Sequence, residues 1–294
     1  MAAARGLSPE LKGIVLTLVA MGMFGCMDGF SKVLVQYYPA WLILWIRHMV
    51  ALVLVVAILA PRHPIMALRA TRRPGLQLLR TALLVTEMGL VLIAFRSLPL
   101  ADAHAIFSAT PLLVTALSVP VLKEQVGWRR WVAVGIGFLG ILVILRPGFV
   151  AIHPAALLAT LCMAMYANYH LLTRMVSRAD RPETSYLLQT VISAALLSII
   201  GPLFWAPIAW HHVPLLLGLG VLGATGHYCL VRALSLAPAV VVQPFTYTML
   251  LWAVLIGYLV FGDLPDAWTI AGAALVVAAG IYAAWREHAR RQTA

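Results

Sequence analysis

Charged side chains are scarce in this sequence. Asp, Glu, Lys and Arg together make 11% of its 294 residues, against roughly a quarter in ordinary globular chains, too few to clothe a water-facing surface. A soluble fold is therefore excluded, and no polar stretch is long enough to form a separate soluble domain. Cysteine is nearly absent as well. Cys26, Cys162 and Cys229 all lie in apolar runs and form no C-x-x-C pair, so neither a disulfide framework nor a zinc site is expected. The chain also lacks H-E-x-x-H, a nucleophile elbow, carboxylates at metal-binding spacing and a phosphate-binding glycine loop, which argues against an enzyme, a metal, a cofactor or direct ATP drive. A glycine-rich filter or a ring of charge, the marks of a passive channel, is missing too.

What is present is apolar length: 63% of the residues are hydrophobic. Runs of about 20 apolar residues, enough to cross roughly 30 Å of hydrocarbon, recur from end to end. They predict an all-α integral membrane fold of ten transmembrane helices over 13–35, 40–60, 76–95, 101–121, 128–146, 153–174, 183–204, 213–233, 238–260 and 266–286. The first run is too long for a signal-peptide core and is expected to remain as a helix. Short connectors carry helix-stopping residues, among them Tyr38-Pro39, Pro99, Arg146-Pro147-Gly148, Arg181-Pro182 and Asp263-Leu264-Pro265.

The net charge of +11 is explained by position. With the N-terminus cytoplasmic, all of the 21 Lys and Arg residues except Lys32, Arg47, Arg96 and Arg146 fall on the cytoplasmic side, so both termini are expected there. No basic stripe interleaved with aromatics exists, which excludes nucleic acid as a partner.

Two stretches echo each other. Phe95-Arg96-Ser97-Leu98-Pro99-Leu100-Ala101 recurs as Val231-Arg232-Ala233-Leu234-Ser235-Leu236-Ala237, and Lys123-Glu124 is matched by Gly262-Asp263. Five helices per copy is an odd number, so the second copy must enter the bilayer from the opposite side. The expectation is two inverted five-helix repeats, residues 1–147 and 148–294, with a solute pathway at their interface near the midplane.

Ionisable groups inside the spans are few and each needs a reason to be there. Asp28 and Lys32 stand one helical turn apart, acid first, which suits a self-neutralising intrahelical pair. Alternatively Lys32 and Arg47 form a positive electrostatic gate. Glu87, with no basic residue within one turn, is a candidate proton- or amine-binding carboxylate, or a protonated glutamate in an interhelical hydrogen bond. His104, Ser108 and Pro111 share one face of the fourth span, and Gln243, Pro244 and Tyr247 lie at the corresponding level of the ninth. Pro111 and Pro244 are expected to kink their helices around the cavity. Tyr166, Tyr169, His170 and Thr173 make a polar-aromatic stripe in the sixth span, and His227 lies among Gly220, Gly223 and Gly226 in the eighth. Substrate contact is therefore expected from Glu87, His104, Ser108, Tyr166, Tyr169, His227, Gln243 and Tyr247. Glycines in the fifth and tenth spans suit either intramolecular packing or dimerisation, so monomer and homodimer both remain open.

Several of these residues carry a family resemblance. Asp28-x-x-x-Lys32, Trp45-x-Arg47, Arg96-x-Leu-x-Leu-Ala101, Pro111, Glu124 with Trp131, Arg174, Gly262-Asp263 and Gly280-Ile-Tyr-x-x-Trp-Arg-Glu287 occur in an order and spacing similar to the drug/metabolite transporter superfamily, in its EamA-like branch. The likeness covers nearly the whole chain, with Asp263 standing where that family more often has Glu. It implies a secondary carrier in the bacterial inner membrane, with a small-molecule substrate and the lipid bilayer as its partners and proton coupling left open. Resemblance to exporters of the YddG type points to export of amino acids, aromatic ones included, by alternating access. The alternative is uptake of a vitamin or nucleotide-like metabolite such as riboflavin or S-adenosylmethionine.

Overall fold

The computed structural model describes residues 8–59, 71–123, 126–146, 153–237 and 239–292. Glu124 and the boundary at 147/148 lie outside the described residues, as do the side chains of Gln243 and Glu287. Twelve α-helices follow one another: α1 (Pro9–Leu34), α2 (Ala40–Leu59), α3 (Pro74–Ala94), α4 (Leu100–Phe107), α5 (Thr110–Leu122), α6 (Trp128–Leu145), α7 (Pro154–Ser177), α8 (Pro182–Ile200), α9 (Val213–Leu236), α10 (Ala239–Thr246), α11 (Thr248–Ile256) and α12 (Ala267–Gln292). Among the described residues, nine helical segments are long and apolar enough to cross a membrane, and the apolar part of α12, Ala267–Ala283, is shorter.

Local chemistry sets the ends of these helices. Pro9, Pro74, Pro154 and Pro182 open theirs at the first position, where a missing N–H costs nothing. Ser8 caps α1 by accepting the Leu11 N–H at 3.2 Å. Lys123, Arg146 and Gly262 close α5, α6 and the π-helical turn Gly257–Phe261 in the left-handed conformation, at φ 55°, 48° and 73°.

The fourth and ninth spans are each broken in the middle. Helix α4 stops at Ser108, and α5 restarts two residues later with Pro111 in its first turn. Pro111 has no N–H to offer the Phe107 carbonyl four residues back, and the Thr110 hydroxyl donates to that carbonyl instead at 2.6 Å. The second break shares the threonine but not the proline register: α10 contains Pro244 and gives way to α11 at Tyr247, where Thr248 donates to the Phe245 carbonyl at 2.6 Å, a carbonyl with no proline four residues on.

Helix α1 packs along α9, as α3 packs along α7. Likewise α1 meets α10 and α11, as α7 meets α4 and α5; α2 lies against α8 and α9, and α6 against α12. The α6–α12 contact is backbone on backbone. A Cβ at Gly272 would stand 2.6 Å from the Gly140 carbonyl oxygen, and one at Gly140 would stand 2.8 Å from that of Gly272. Gly137 and Gly280 make room instead for the side chains of Leu112 and Tyr247, so these small residues serve intramolecular packing.

Leu34, Leu42, Ile43, Leu100, Ile106, Leu197 and Leu219 form the buried centre, while Ile199, Leu203, Leu251 and Leu259 stay largely exposed. Such a surface suits hydrocarbon rather than water. Exposed aromatics gather at both ends of the bundle. Tyr37, Trp205 and Trp210 ring the end where Lys32 lies, and Trp128, Trp131 and Trp285 lie toward the other, as an interfacial belt does.

Candidate functional site

Near mid-height the helices α2, α3, α8 and α9 part around a cavity with a mixed polar and apolar wall. Each contributes residues at helical spacing, so one face of every helix is turned to the same space. Helix α2 supplies Arg47, His48 and Ala51; α3 supplies Leu84 and Met88; α8 supplies Tyr186, Gln189, Thr190 and Ser193; α9 supplies Gly223, Ala224 and His227. The cavity offers water-sized molecules ≈ 50 Å³. That is room for a few waters, each needing about 10–15 Å³, whereas sites for drug-sized ligands span roughly 300–1,000 Å³. The helices must move apart before a metabolite can be held.

The hydrogen bonds of the wall fix what it can offer. His48 Nδ1 lies 2.8 Å from the Leu44 carbonyl oxygen, and His227 Nδ1 lies 2.8 Å from that of Gly223. A carbonyl can only accept, so each ring carries its proton on Nδ1 and leaves Nε2 for another partner. The His227 ring stacks near-parallel on Tyr186, with centroids 6.1 Å apart at 20°, and Phe24 meets its edge. Gly223 leaves space that the Arg47 guanidinium fills: a Cβ built there would be 3.5 Å from Arg47 Nε. Arg47 is 7% exposed. Asp28, Glu87 and Tyr186 lie within its electrostatic reach, yet none of the ion pairs among the described residues includes it.

The residues singled out in the sequence are distributed unevenly about this space. His227 and Arg47 line it. Glu87 sits between Leu84 and Met88 on α3, 4% exposed, and its backbone carbonyl accepts from Cys162 at 3.8 Å. Tyr169 is one layer back and donates to the wall residue Gln189 at 2.8 Å. Tyr166 stacks on Tyr169 at 5.8 Å and 11°, with His170 and Phe107 around it. His104 pairs with Asp28, Nε2 to Oδ2 3.0 Å. Ser108 donates to the Ala105 carbonyl at 2.6 Å. Tyr247 is directed at Gly280 of α12, away from the cavity. Pro111 and Pro244 lie at the two helix breaks described above.

One expected pairing is corrected. Asp28 and Lys32 do not neutralise each other: Asp28 takes His104, and Lys32 donates to Asp263 Oδ2 at 2.9 Å and to the Leu98 carbonyl at 3.0 Å, with its ammonium 4.9 Å from the Phe261 ring centre. The pair on one helix loses because both side chains find partners with better geometry across helix interfaces. Lys32 thereby ties α1 to the end of the ninth span.

The opposite end holds a network that the sequence did not suggest. Arg80, 2% exposed, donates to Gln77 Oε1 at 3.0 Å, Thr173 Oγ1 at 3.2 Å and the Ser185 carbonyl at 2.8 Å. Gln77 in turn donates to Asp180 Oδ2 and Ser185 Oγ. Asp180 also accepts from the Thr71 hydroxyl and the Arg72 N–H. Burial pushes the Asp180 carboxyl up, but the hydrogen bonds from Thr71, Arg72 and Gln77 outweigh it and hold the group below the usual carboxylate range. Arg80 stands about 14 residues before the end of α3, which at 1.5 Å per residue puts it roughly 21 Å from the Lys32 end.

The wall residues Tyr186, Gln189, Thr190 and Ser193 were missed, although a signal existed. They repeat at i, i+3, i+4 and i+7 within an apolar span, the same polar stripe that drew attention to Tyr166 and Tyr169.

Comparison with known proteins now decides the family. The model of the EamA-like transporter family matches residues 11–146 and 153–284. The chain belongs to that family. This EamA-like protein is 33% identical over 242 residues to a riboflavin transporter of Vibrio cholerae serotype O1, covering 81% of this chain and 80% of that one. It is 25% identical over 217 residues to an S-adenosylmethionine uptake transporter of Rickettsia prowazekii, covering 74% of each. A solved crystal structure shares the EamA-like chain's fold with a TM-score of 0.64 at 16% identity, over 96% of this chain and 99% of the other. The EamA-like protein is thus a multi-pass inner-membrane transporter of a small molecule and not an enzyme.

Proposed function

We propose that this transporter takes up a vitamin or nucleotide-like metabolite, of the riboflavin or S-adenosylmethionine kind, by alternating access. The observation that carries the reading is the 33% identity to a riboflavin transporter across four-fifths of both chains. The cavity agrees with it. A wall of stacked Tyr186 and His227 with Arg47, Gln189, Thr190 and Ser193 suits a flat heterocycle bearing several polar groups. Amino acid export, the main expectation from the sequence, gives way to the alternative because the named relatives are a riboflavin transporter and an S-adenosylmethionine uptake transporter.

The architecture behind this reading is ten crossings with both termini cytoplasmic, arranged as inverted repeats over 1–147 and 148–294. Three observations support it. The helix pairings exchange when the halves are swapped, α1 with α9 for α3 with α7. Thr110 and Phe107 at one break correspond to Thr248 and Phe245 at the other, and the family model matches the two halves separately. The basic connectors collect at the Arg80 end, which is cytoplasmic on the positive-inside rule. Tyr169, bonded to the wall residue Gln189, then serves as a supporting group, and the buried Glu87 as a site for a coupled proton.

The test is uptake into proteoliposomes of labelled riboflavin, S-adenosylmethionine and a panel of amino acids. Saturable uptake of riboflavin or S-adenosylmethionine is expected. Saturable transport of amino acids alone would overturn the reading.

A further inference from the structure

We infer that Arg47 determines specificity in this cavity, selecting planar heterocycles with an edge of hydrogen-bond acceptors and no net positive charge over cationic metabolites. This rests on the uptake reading above and chooses within it.

The argument starts from a guanidinium that has nothing to hold. Arg47 is 7% exposed, among apolar helices, and its five N–H donors enter no hydrogen bond or ion pair among the described residues. The other two deeply buried basic side chains differ in this respect: Lys32 has Asp263 and Leu98, and Arg80 has Gln77, Thr173 and Ser185. The Arg47 donors face the cavity rather than protein acceptors, so a solute that supplies acceptors there gains charge-assisted hydrogen bonds without breaking any within the protein. The fork geometry of a guanidinium favours two acceptors side by side over one.

The remaining wall decides between the two kinds of substrate. Among the described residues no carboxylate lines the cavity: Asp28 is engaged by His104, and Glu87 is not one of the lining residues. Riboflavin is uncharged and presents, on its pyrimidinedione edge, two carbonyls and a ring nitrogen for Arg47 and an N–H for the Nε2 of His48 or His227. Its flat ring system suits the Tyr186–His227 stack. S-adenosylmethionine has a net positive charge. Its carboxylate can meet Arg47, but its sulfonium and ammonium then lie within a few ångströms of a guanidinium, with no acid on the wall to offset them.

Purified protein in detergent tests this directly, with riboflavin fluorescence quenching read as a binding titration and S-adenosylmethionine added as competitor. Wild type is expected to bind riboflavin and to resist displacement by S-adenosylmethionine. Arg47→Gln is expected to weaken riboflavin binding by about 10-fold or more, the ordinary worth of a hydrogen bond to a charged group, and to narrow the gap between the ligands. Arg47→Lys, which keeps the charge and loses the fork, is expected to keep the discrimination against S-adenosylmethionine while binding riboflavin less tightly than wild type. It also covers the case in which Arg47→Gln does not fold. Arg146→Gln, remote from the cavity, serves as the control. Riboflavin binding indifferent to both Arg47 variants, or wild type preferring S-adenosylmethionine, would overturn the inference and leave the uptake reading standing. Wild type binding neither ligand would overturn both.

Discussion

At the Lys32 end of the bundle, the halves are joined by a direct ion pair whose side chains are 10% and 33% exposed. At the Arg80 end, a guanidinium and a carboxylate are kept apart by Gln77, which is fully buried and hydrogen-bonded to both. Water can replace the partners of Lys32 as they separate, because Asp263 already reaches solvent. It cannot reach Gln77 without the surrounding helices moving. Parting the helices therefore costs less at the Lys32 end, and the Arg80 end is the one in which every member must stay satisfied.

Substitutions at the two ends can break that contrast. The largest effect is expected from Gln77→Leu, which leaves Arg80 Nε and one Asp180 contact without a partner. Thermal unfolding of detergent-purified protein should show a loss of about 3 kcal/mol. An unchanged midpoint would mean that the buried network does not hold this end together.

Asp180→Asn is expected to cost less, about 2 kcal/mol at neutral pH. It should also alter the pH dependence. Because the folded carboxyl lies below its usual range, its contribution is fully present above the unfolded value of about 3.9 and is lost as pH falls through the lower folded value. Stability should therefore hold steady from neutral pH down to about pH 5 and decline below about pH 4. In Asp180→Asn that acid limb should be shallower, and an acid limb as steep as in wild type would remove Asp180 from the account.

Lys32→Met should cost only about 1 kcal/mol, since Asp263 regains water when unpaired. A loss as large as that of Gln77→Leu would erase the difference between the ends. The smallest effect belongs to Arg146→Gln. Its pair with Asp266 has side chains 27% and 48% exposed, so a change within about 0.5 kcal/mol is expected, fading further in high salt. Asp266 should keep its helix-capping role regardless, because the Thr269 N–H at 2.7 Å does most to hold its carboxyl below the usual range.

The apolar spans, the basic connectors and the broken fourth and ninth helices were legible in the sequence because each depends on composition or on a proline at one position. Pro111 withholds an N–H from Phe107 whatever surrounds it. The partners of Asp28 and Lys32 were not legible: when most faces of a helix are apolar, the sequence does not say how the helix is rotated. Two charges one turn apart then look like partners even where His104 and Asp263 wait on neighbouring helices. The α8 side of the cavity was hidden for the same reason. The expected residues were spread over α4, α7 and the break after α10 as well as Arg47 on α2, Glu87 on α3 and His227 on α9, whereas the cavity lies between α2, α3, α8 and α9. Of the residues expected to touch substrate, His227 lines it and Tyr169 backs it, while Ser108 and Tyr247 have partners elsewhere. Arg80 was counted among connector charges because it follows Arg72 and Arg73, and only the packing of α3 against α7 and α8 reveals it as buried.

Counterflow in proteoliposomes tests the central claim, a single site opened alternately to the two sides, most directly. Vesicles loaded with unlabelled riboflavin should accumulate external labelled riboflavin transiently and several-fold above empty vesicles. Entry proportional to external concentration and indifferent to the riboflavin inside would contradict it.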